Sequence, residues 1–421
     1  MDFCFASKKT MSKSNYYFGQ SVLGQVFKLI PDIVVNKSVK QHQSDFACKR
    51  FNTATHLKTM CYAVLSDVTG LRHVSDGLLG MGSKLGHLGL NYVPPKSTLS
   101  DANKNRSSEV FGSIYTGLYK YYSNFFSDSS VVEPLLRKAY AIDATTVSLF
   151  KDILKASGRK SKDGQAKGGM KAHTQISLVD ELPINIKYTS GATHDQCFFE
   201  SLQLQKDDIA IMDKAYVNYN QFATWAEQGI YFVTREKDNA KSIAVLEKDL
   251  PDDKDFEILL DEQALYHYKD SHNQTQQLLL RRVVVYSEKH KESIVLLTNA
   301  FHLEAAQISL LYRKRWRIEL LFKQLKQNFP LKYFVGDNQN AIEIQIWCAL
   351  IINMLMTLIR IKANNKKLSF ALMVSIIRQH TMSYINIIQY LKHPEGLRLA
   401  FKKLRKNNNN AYQEDLFFNT T

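Results

Sequence analysis

One helix-like segment in the last third of the chain carries side-chain types that bind metal ions and phosphates. Tyr312, Arg315, Glu319 and Lys326 stand at offsets of 0, 3, 7 and 14 residues. At about 100° per residue these four side chains fall within roughly 60° of one another on an α-helix, and Lys323 joins the same stripe. A carboxylate in such a stripe can hold a metal ion, while the cations and the aromatic ring can bind a phosphate backbone. The pattern therefore indicates a site for nucleic-acid chemistry.

The same stripe also has an ordinary structural interpretation. Charged stripes on amphipathic helices are usually solvated surface, and Glu319 with Lys323 is a common i,i+4 pair. An apolar face beside the stripe suits packing against a core; its members are Ile318, Leu321, Phe322 and Leu325. The segment alone does not decide between a site and a surface.

Two aspartates elsewhere in the chain are candidates to join Glu319. Asp143 lies in the middle of an apolar strand pattern, where a carboxylate costs free energy unless it is paired or holds a metal ion. Asp213 ends the apolar run 209–212, and α/β proteins usually gather their ligands at strand ends. Ordinary explanations stay open: Asp143 could pair with a buried base, and Asp213 has nearby rivals in Asp195, Asp207 and Asp208.

Three acids that converge on one point suit the cleavage of phosphodiesters. That reaction commonly uses two magnesium ions about 3.5–4 Å apart, one activating the attacking oxygen and the other stabilising the leaving oxygen. Magnesium prefers carboxylate oxygens and keeps several water ligands. Asp143, Asp213 and Glu319 are separated by 70 and 106 residues, so only a fold that brings distant elements together can unite them.

The pattern along the chain predicts such a fold. Apolar runs and turns indicate three adjacent strands, then a helix, a strand, a helix and a strand, at 139–150, 172–179, 184–190, 196–205, 208–212, 218–228 and 230–235. This is the order of a ribonuclease H-like domain of the α/β class with a mixed sheet. Residues 237–298 read as a β-rich insertion, and the apolar segment 343–362 as a long helix that backs the sheet.

The rest of the chain is predicted to be mainly helical and basic. Residues 15–95 carry helical apolar spacing and many lysines, and the glycine-rich stretch 76–95 favours a linker. A helix is expected to begin at 97–100 and to continue through residue 122. We therefore predict a helical N-terminal domain at 1–95, a second domain at 96–365 and a helical, basic C-terminal tail at 366–421. The basic helices at 1–95 either bind DNA or present ordinary solvated faces.

Composition favours a polyanionic partner. The net charge is +15 and the pI is near 9.3, and nucleic acid is the commonest partner of so basic a protein, although a basic protein without such a partner stays possible. The five cysteines are odd in number and form no Cys-x2-Cys pair, which disfavours zinc and a disulfide framework. The longest apolar run, 346–359, is too short to span a bilayer, so no membrane partner is expected.

The spacing Tyr-x2-Arg-x3-Glu-x6-Lys resembles the signature of bacterial DDE transposases of the insertion sequence 4 family. The stretch Ile142-Asp143-Ala-Thr-Thr-Val-Ser-Leu-Phe150 resembles the first-acid motif of that family, and Asp213-Lys-Ala-Tyr216 resembles the second. The resemblance covers roughly residues 130–365. The region before it looks like the N-terminal domain that often precedes this catalytic domain.

The resemblance implies a transposase that binds the terminal inverted repeats of its element as a homodimer on DNA. It implies cleavage that releases 3′ hydroxyls, and their transfer into target DNA, in the bacterial cytoplasm at the nucleoid. Asp143, Asp213 and Glu319 would hold two Mg²⁺ ions, with Mn²⁺ possible. Tyr312, Arg315 and Lys326 would contact phosphates, and Lys323 is added from the helix geometry.

Two alternatives stay open at this point. A ribonuclease H-like nuclease would share the first chemical step without strand transfer, and a DNA-binding descendant of a transposase would have a dead site. Relatives that form DNA hairpins stack a base on a Trp in the β insertion, yet 237–298 contains no Trp. Tyr residues there could stack, although each is more often structural; they are Tyr266, Tyr268 and Tyr286. Four further residues could line the site: Lys171, His173, His194 and Asp195.

Overall fold

The computed structural model describes residues 20–127, 134–148, 169–248, 258–287, 291–331 and 333–393. The chain divides into two compact units, one made of residues 1–102 and 348–421 and the other of residues 103–347. Of the tail predicted at 366–421, residues 394–421 lie outside the described residues. The functions assigned to the predicted domains stay predictions.

The helices of the described residues are α1 (Val22–Phe27), α2 (Asp32–His42), α3 (Thr53–Leu65), α4 (Leu71–Leu79), α5 (Lys96–Asn105), α6 (Glu109–Ser127), α7 (Tyr219–Glu227), α8 (Ala305–Lys314), α9 (Trp316–Asn328), α10 (Gln339–Ala363), α11 (Phe370–Gln379) and α12 (Ile387–Lys392). The strands are β1 (Ala139–Ser148), β2 (Gly169–Ser177), β3 (Pro183–Ser190), β4 (Ile209–Met212), β5 (Tyr231–Arg235), β6 (Ser242–Glu247), β7 (Ile258–Lys269), β8 (Thr275–Ser287) and β9 (Glu292–Thr298).

The first unit is helical and is centred on α3. This helix is apolar nearly all round, and Met60 and Cys61 have no exposed surface, as expected of a helix buried on every side. The C-terminal helices belong to the same unit. The backbone N–H of Val22 donates to the carbonyl of Ser383 at 2.9 Å, and Arg378 Nε donates to the carbonyl of Leu65 at 2.7 Å, at the C-terminus of α3.

The compact units therefore differ from the domain boundaries predicted at residues 95 and 365. The linker predicted at 76–95 is wrong, because this stretch contains the end of α4 and a 3₁₀ helix, Gly82–Leu88. Leu78, Leu88 and Leu90 are buried, so the stretch packs into the unit in spite of its glycines.

The helix predicted from residue 97 to 122 is also wrong in one respect. It is divided into α5 and α6, because Ser107 and Ser108 interrupt it and the Ser107 hydroxyl accepts from the N–H of Glu109.

The described part of the second unit contains a nine-stranded sheet of order β3-β2-β1-β4-β5-β9-β8-β7-β6. Strands β1, β2 and β3 form an antiparallel meander, β4 lies parallel to β1, and β5 lies parallel to β4. This arrangement confirms the predicted ribonuclease H-like mixed sheet, preceded by a mainly helical region. The predicted β-rich insertion extends the same sheet, because β9 pairs antiparallel with β5.

An aromatic core cluster holds α7 against the sheet. The rings of Phe222 and Phe232 stack with their centroids 3.9 Å apart, and Ile142 and Tyr216 belong to the same buried cluster. The insertion is part of this core, because the cluster also contains Ala264, Tyr266 and Leu280. The helix predicted at 196–205 is only a 3₁₀ turn, Asp195–Ser201.

The outer strand of the insertion, β6, is unusually apolar for an exposed strand. Ile243, Val245 and Leu246 are more than half exposed. Among the described residues β6 pairs only with β7, and a bulge interrupts that pairing between Ala244 and Leu246. Ile243 continues a partly exposed apolar row across β7 and β8, formed with Leu265 and Leu279.

The segment from Tyr312 to Lys326 is not the single helix that its pattern predicts. It breaks at Arg315, where the hydrogen bonds tighten to i→i+3: Arg315 N–H donates to the Tyr312 carbonyl at 3.1 Å, and Ile318 N–H to the Arg315 carbonyl at 3.1 Å. Both α8 and α9 bury apolar side chains, Ile308 and Leu311 in the first and Ile318 in the second.

Among the described residues, α10 is the one helix that is long and apolar enough to cross a membrane by length and composition. Within the protein, 89% of its most apolar stretch is buried. A core helix of this kind meets the same criteria, so the helix is weak evidence for a membrane span.

A buried ion pair fixes the insertion to the loop that leads into α8. Arg281 binds Asp261 through two hydrogen bonds of 2.8 and 2.6 Å, and both side chains are less than 5% exposed. Arg281 also donates to the carbonyl of Leu303. Since this loop determines where α8 begins, the pair helps to position α8 and α9.

We expect Asp261→Ala to destabilise the protein by about 3–5 kcal/mol, because it leaves a buried guanidinium without its counter-charge. Thermal and urea unfolding of the full chain will measure the loss. The double variant Asp261→Leu, Arg281→Met should recover most of it. The exposed Asp238→Ala, which breaks a surface pair with Lys214, is the control and should change little. A single variant as stable as the double variant would contradict the prediction.

Candidate active site

Two of the three predicted acids meet because of one strand register. β1 and β4 run parallel with Ile142 opposite Met212, and Asp143 and Asp213 are the next residue in each case. Neighbouring strands lie about 4.8 Å apart. Asp143, inside β1, and Asp213, directly after β4, therefore lie side by side where β4 ends. We call this place the acid edge.

The third acid, Glu319, is brought to the acid edge by α9. Glu319 lies in the first turn of this helix, where the helix dipole stabilises a carboxylate. Arg315 connects the two elements, because its guanidinium lies 2.6 Å from Glu319 and 3.7 Å from Asp143. In the last turn of α9, Lys326 Nζ donates to the carbonyl of Thr146 in β1 at 3.4 Å. Both ends of α9 are thus tied to the strand that carries Asp143.

The acid edge brings negatively charged carboxylates close together in a partly buried place, which is unfavourable for their charged forms. Burial raises the pKa of Asp143 to about 6, although a hydrogen bond from the Ala144 N–H and the charge of Arg315 act in the opposite direction. The negative charges of Glu319 and Asp213 contribute to the rise. Three carboxylates close enough to interact thus face one neutralising guanidinium.

Arg315 and Tyr312 form a second layer beside the acids. Burial opposes the charge of Arg315, but its hydrogen bond to Glu319, followed by nearby negative groups, raises the pKa of the guanidinium. The guanidinium lies 5.7 Å from the centroid of the Tyr312 ring, which permits a cation–π interaction. Arg315 Nε is buried and has no hydrogen-bond partner among the described residues.

The donor set fits a divalent cation by its chemistry, although it is not a preformed cage. Within the described residues, no three His, Cys, Asp or Glu side chains are arranged to share one ion. Arg315 supplies the positive charge that the acids require, and carboxylates are the ligands that Mg²⁺ prefers. A bound ion would replace Arg315 as the partner of Asp143 and Glu319.

Comparison with known families shows to which family the chain belongs. Residues 134–355, more than half of the chain, match the model described as "Transposase DDE domain", and residues 18–91 match a "Domain of unknown function (DUF4372)". The chain belongs to the DDE transposase family. All three acids lie within the matched range, and proteins of this family generally use divalent metal ions.

The similar proteins carry transposase names. The chain is 27% identical over 262 residues to y4zB of Sinorhizobium fredii, a protein named as a transposase, covering 61% of this chain and 69% of that one. It is 26% identical over 241 residues to a protein of Geobacillus stearothermophilus named as the transposase for insertion sequence element IS5377, covering 56% and 61%. A solved piggyBac transposase synaptic complex with hairpin DNA aligns at 11% identity and a TM-score of 0.37, covering 92% and 84%. That score is too low to bear on the argument.

Two lysines of the predicted stripe, Lys323 and Lys326, lie along α9 of the transposase and are exposed. Lys326 is close to β1 through Thr146, and burial lowers the pKa of its amine. Lys323 lies one turn before it on the same helix. Glu319 pairs with Arg315 and not with Lys323, so the ordinary i,i+4 interpretation of that pair is wrong.

A polar cluster on β2 and the 3₁₀ turn 195–201 contains the further residues that were candidates to line the site: Lys171, His173, His194 and Asp195. Lys171 Nζ binds Asp195 at 2.7 Å, and His173 Nε2 lies 2.8 Å from the hydroxyl of Thr189. His194 accepts from the N–H of Gln196 and caps the 3₁₀ turn. These contacts are structural; the Lys171 side chain is buried and that of Asp195 is partly exposed.

Sequence reasoning missed the central position of Arg315. Arg315 was predicted as a phosphate ligand only. Its proximity to Asp143, which is 172 residues away in sequence, carries no local signal.

The buried His173 makes the transposase sensitive to acid. Burial lowers the pKa of His173 from 6.5 to about 4; Asp195 opposes the shift, and Lys171 and Lys187 add to it. The pKa of His173 is lower in the folded than in the unfolded protein, so neutral His173 contributes its full stabilisation of the fold above pH 6.5. This contribution is lost as the pH falls through 4. We expect a loss on the order of 2 kcal/mol over this range.

Unfolding of the wild type and of His173→Gln between pH 7.5 and 4 will measure this effect. The variant should lose less stability on acidification than the wild type. His272→Gln, on the exposed turn between β7 and β8, is the matched control and should follow the wild type. Equal losses in wild type and His173→Gln would exclude His173 as the group responsible.

Proposed function

We propose that this transposase binds the terminal inverted repeats of its insertion sequence, cleaves the element ends and joins the resulting 3′ hydroxyls to target DNA. The observation that carries the proposal is the register that brings Asp143 beside Asp213, with Glu319 linked to Asp143 through Arg315. Three acids from rigid elements are the donor set that two-metal phosphodiester chemistry requires.

In this proposal Asp143, Asp213 and Glu319 hold two Mg²⁺ ions, with Mn²⁺ as a substitute. When bound, the ions activate the attacking oxygen and stabilise the leaving oxygen. The protein's own contribution is rigidity: β1 and β4 fix two carboxylates, and the contacts of α9 with β1 fix the third. Rigid acids need little rearrangement when the phosphodiester is cleaved.

The cations of α8 and α9 bind DNA phosphates near the cleaved bond. The Arg315 side chain lies beside the acids, and a charged guanidinium forms strong hydrogen bonds to phosphate oxygens. Lys323 and Lys326 extend the positive surface along α9, and Tyr312 supports Arg315 from the other side. This positive surface is suited to contacts with the phosphate backbone of DNA and not to the reading of a particular base sequence.

The N-terminal helices contribute the recognition of the element ends. The first unit carries exposed cations on or next to α1, α2 and α3: Lys28, Lys37, Lys40, Lys49 and Arg50. Together with the net charge of +15, they support DNA binding by the region predicted at 1–95. We further propose that the protein acts as a homodimer on DNA at the bacterial nucleoid.

A labelled duplex that carries the element's own terminal repeat, incubated with Mg²⁺, will test the proposal. Asp143→Asn, Asp213→Asn and Glu319→Gln should each lower cleavage by on the order of a thousandfold or more, because the acids act as a unit. Asp207→Asn, an acid at the opposite end of β4, is the matched control and should cleave normally. Retention of DNA binding and of melting temperature will exclude unfolding.

The outcomes separate this proposal from its alternatives. Cleavage followed by joining to added target DNA supports a transposase, whereas cleavage without joining supports a nuclease. A wild type that binds the ends but never cleaves them supports a dead-site DNA-binding protein. If any one acid variant cleaves like the control, that acid is not a ligand.

The phosphate-binding role of α9 can be tested by the salt dependence of DNA affinity. We expect Lys326→Ala and Lys323→Ala each to weaken binding and to lower the slope of log affinity against log salt by about 1, as expected for one lost phosphate contact. Lys206→Ala removes the same charge at the opposite edge of the sheet and should leave the slope unchanged. Equal slopes for all three variants would contradict the assignment.

A further inference from the structure

One aromatic side chain of the first unit is exposed to solvent beside cations. Phe46 lies in the loop between α2 and α3 and is 87% exposed. Lys49 and Arg50 follow in the same loop and are exposed too. Since consecutive Cα atoms are about 3.8 Å apart, the Cα atoms of Phe46 and Arg50 are separated by at most about 15 Å. A single exposed apolar residue needs no explanation by itself, but the conformation of this loop distinguishes Phe46.

The loop that carries Phe46 is held in place by hydrogen bonds. Asp45 Oδ1 accepts from the N–H of Thr53 at 2.6 Å and from its hydroxyl at 2.7 Å. Thr53 has no exposed surface and begins α3. The N–H of Phe46 donates to the carbonyl of Gln43 at 3.0 Å. The backbone that presents the ring is therefore anchored to the buried start of a helix.

The backbone on both sides of Phe46 adopts an unfavourable conformation. Gln43 has a φ of 48° and Ala47 has a φ of 58°, which is the left-handed region that residues with a Cβ rarely adopt. Such strain persists only where the surrounding structure maintains it, and it occurs most often at ligand-binding and switch regions. The loop thus holds Phe46 in solvent at a cost to stability.

A second phenylalanine shows that the same loop can bury an aromatic ring. Phe51, five residues after Phe46, is 7% exposed. Its ring centroid lies 5.2 Å from that of His56 and 6.3 Å from that of Tyr92. Phe46 makes no such ring contact with any described residue. One ring of the loop therefore serves the core, and the other is left for a partner.

The charges around Phe46 favour a polyanionic partner over a second copy of the chain. Residues 33–52 contain one acid, Asp45, which is engaged with Thr53. A symmetric contact between two copies of this loop would bring like charges together, whereas the phosphates of DNA would neutralise them. The cations of this range are all exposed: Lys37, Lys40, Lys49 and Arg50.

We propose that the loop 43–50 contacts duplex DNA and that the ring of Phe46 inserts between two stacked base pairs. Lys49 and Arg50 bind the adjacent phosphates. The faces of the bases offer an apolar surface on which an aromatic ring can stack. Apolar side chains that insert in this way, Phe among them, partly unstack the bases and kink the duplex by about 20–90°. The inference rests on the proposed function in one respect, because it takes DNA as the partner of the first unit.

The variant Phe46→Ala tests the inference in the full chain, without metal ions. Fluorescence anisotropy with a duplex that carries the terminal repeat should show an affinity about tenfold lower than that of the wild type, because one stacking contact is lost. The slope of log affinity against log salt should stay the same, since no charge is removed. Lys49→Ala should instead lower that slope by about 1.

The bend of the duplex gives a second, independent measurement. Energy transfer between dyes at the two ends of the duplex should report a bend with the wild type and a much straighter duplex with Phe46→Ala. Phe46→Leu keeps an apolar side chain that can still enter between base pairs, so it should retain most of the bend.

Leu79→Ala is the matched control for the loss of exposed apolar surface. Leu79 belongs to α4 of the same unit and is 60% exposed. This variant should keep both the affinity and the bend of the wild type. Because Phe46 and Leu79 are exposed, neither alanine variant should change the melting temperature by much.

Three results would overturn the inference. The first is an unchanged affinity of Phe46→Ala for the duplex. The second is a bend that does not depend on Phe46, or no bend with the wild type, since either would place the ring outside the base stack. The third is an unchanged DNA affinity combined with weaker self-association of Phe46→Ala in sedimentation, which would assign the ring to a second copy of the chain.

Failure of the proposed function would be distinguishable from failure of this inference. The binding and bending measurements contain no metal ion and do not involve the acids. A wild type that bends the duplex through Phe46 but never cleaves it contradicts the proposed function alone. A Phe46→Ala variant that binds and cleaves the terminal repeat like the wild type contradicts only the role of Phe46.

Discussion

The parallel pairing of β1 with β4 is the constraint on which the rest of the structure depends. With Ile142 opposite Met212, the next residue of each strand is an aspartate, and both emerge at one edge. A shift of one residue along either strand would turn its side chains to the opposite face. The apolar residues of both strands prevent that shift, since Ile142 and Met212 are buried in the core cluster. The packing of the core thus determines the geometry of the acids.

The acid edge carries groups that are unfavourable for stability. Asp143 is a partly buried carboxylate, and within the described ranges Arg315 Nε and the Tyr216 hydroxyl are buried without a hydrogen-bond partner. Proteins accept such groups at functional sites and compensate for them elsewhere. Here the compensation lies directly behind the edge, in the stacked rings of Phe222 and Phe232 and the core around them.

Much of the catalytic unit could be predicted from sequence because its signals are local. An aspartate inside or just after an apolar run is visible in any strand pattern, and the order of strands and helices followed from periodicity. What sequence could not supply depended on distant contacts. The hydrogen bond between Val22 and Ser383 joins residues 361 positions apart, and the contact of Arg315 with Asp143 spans 172 positions. The acid roles themselves stay predictions.

The apolar outer strand β6 affects the solubility of the chain while it is synthesised and folds. Among the described strands β6 has one free edge, and with the exposed Ile243, Val245 and Leu246 it is a template for association with other chains during synthesis. The bulge between Ala244 and Leu246 and the flanking Lys241 and Lys248 oppose such pairing by twisting and charging the strand. Solubility during expression therefore depends on a few residues far from the acids, and a polar substitution on β6 would raise the yield of folded protein without touching the chemistry.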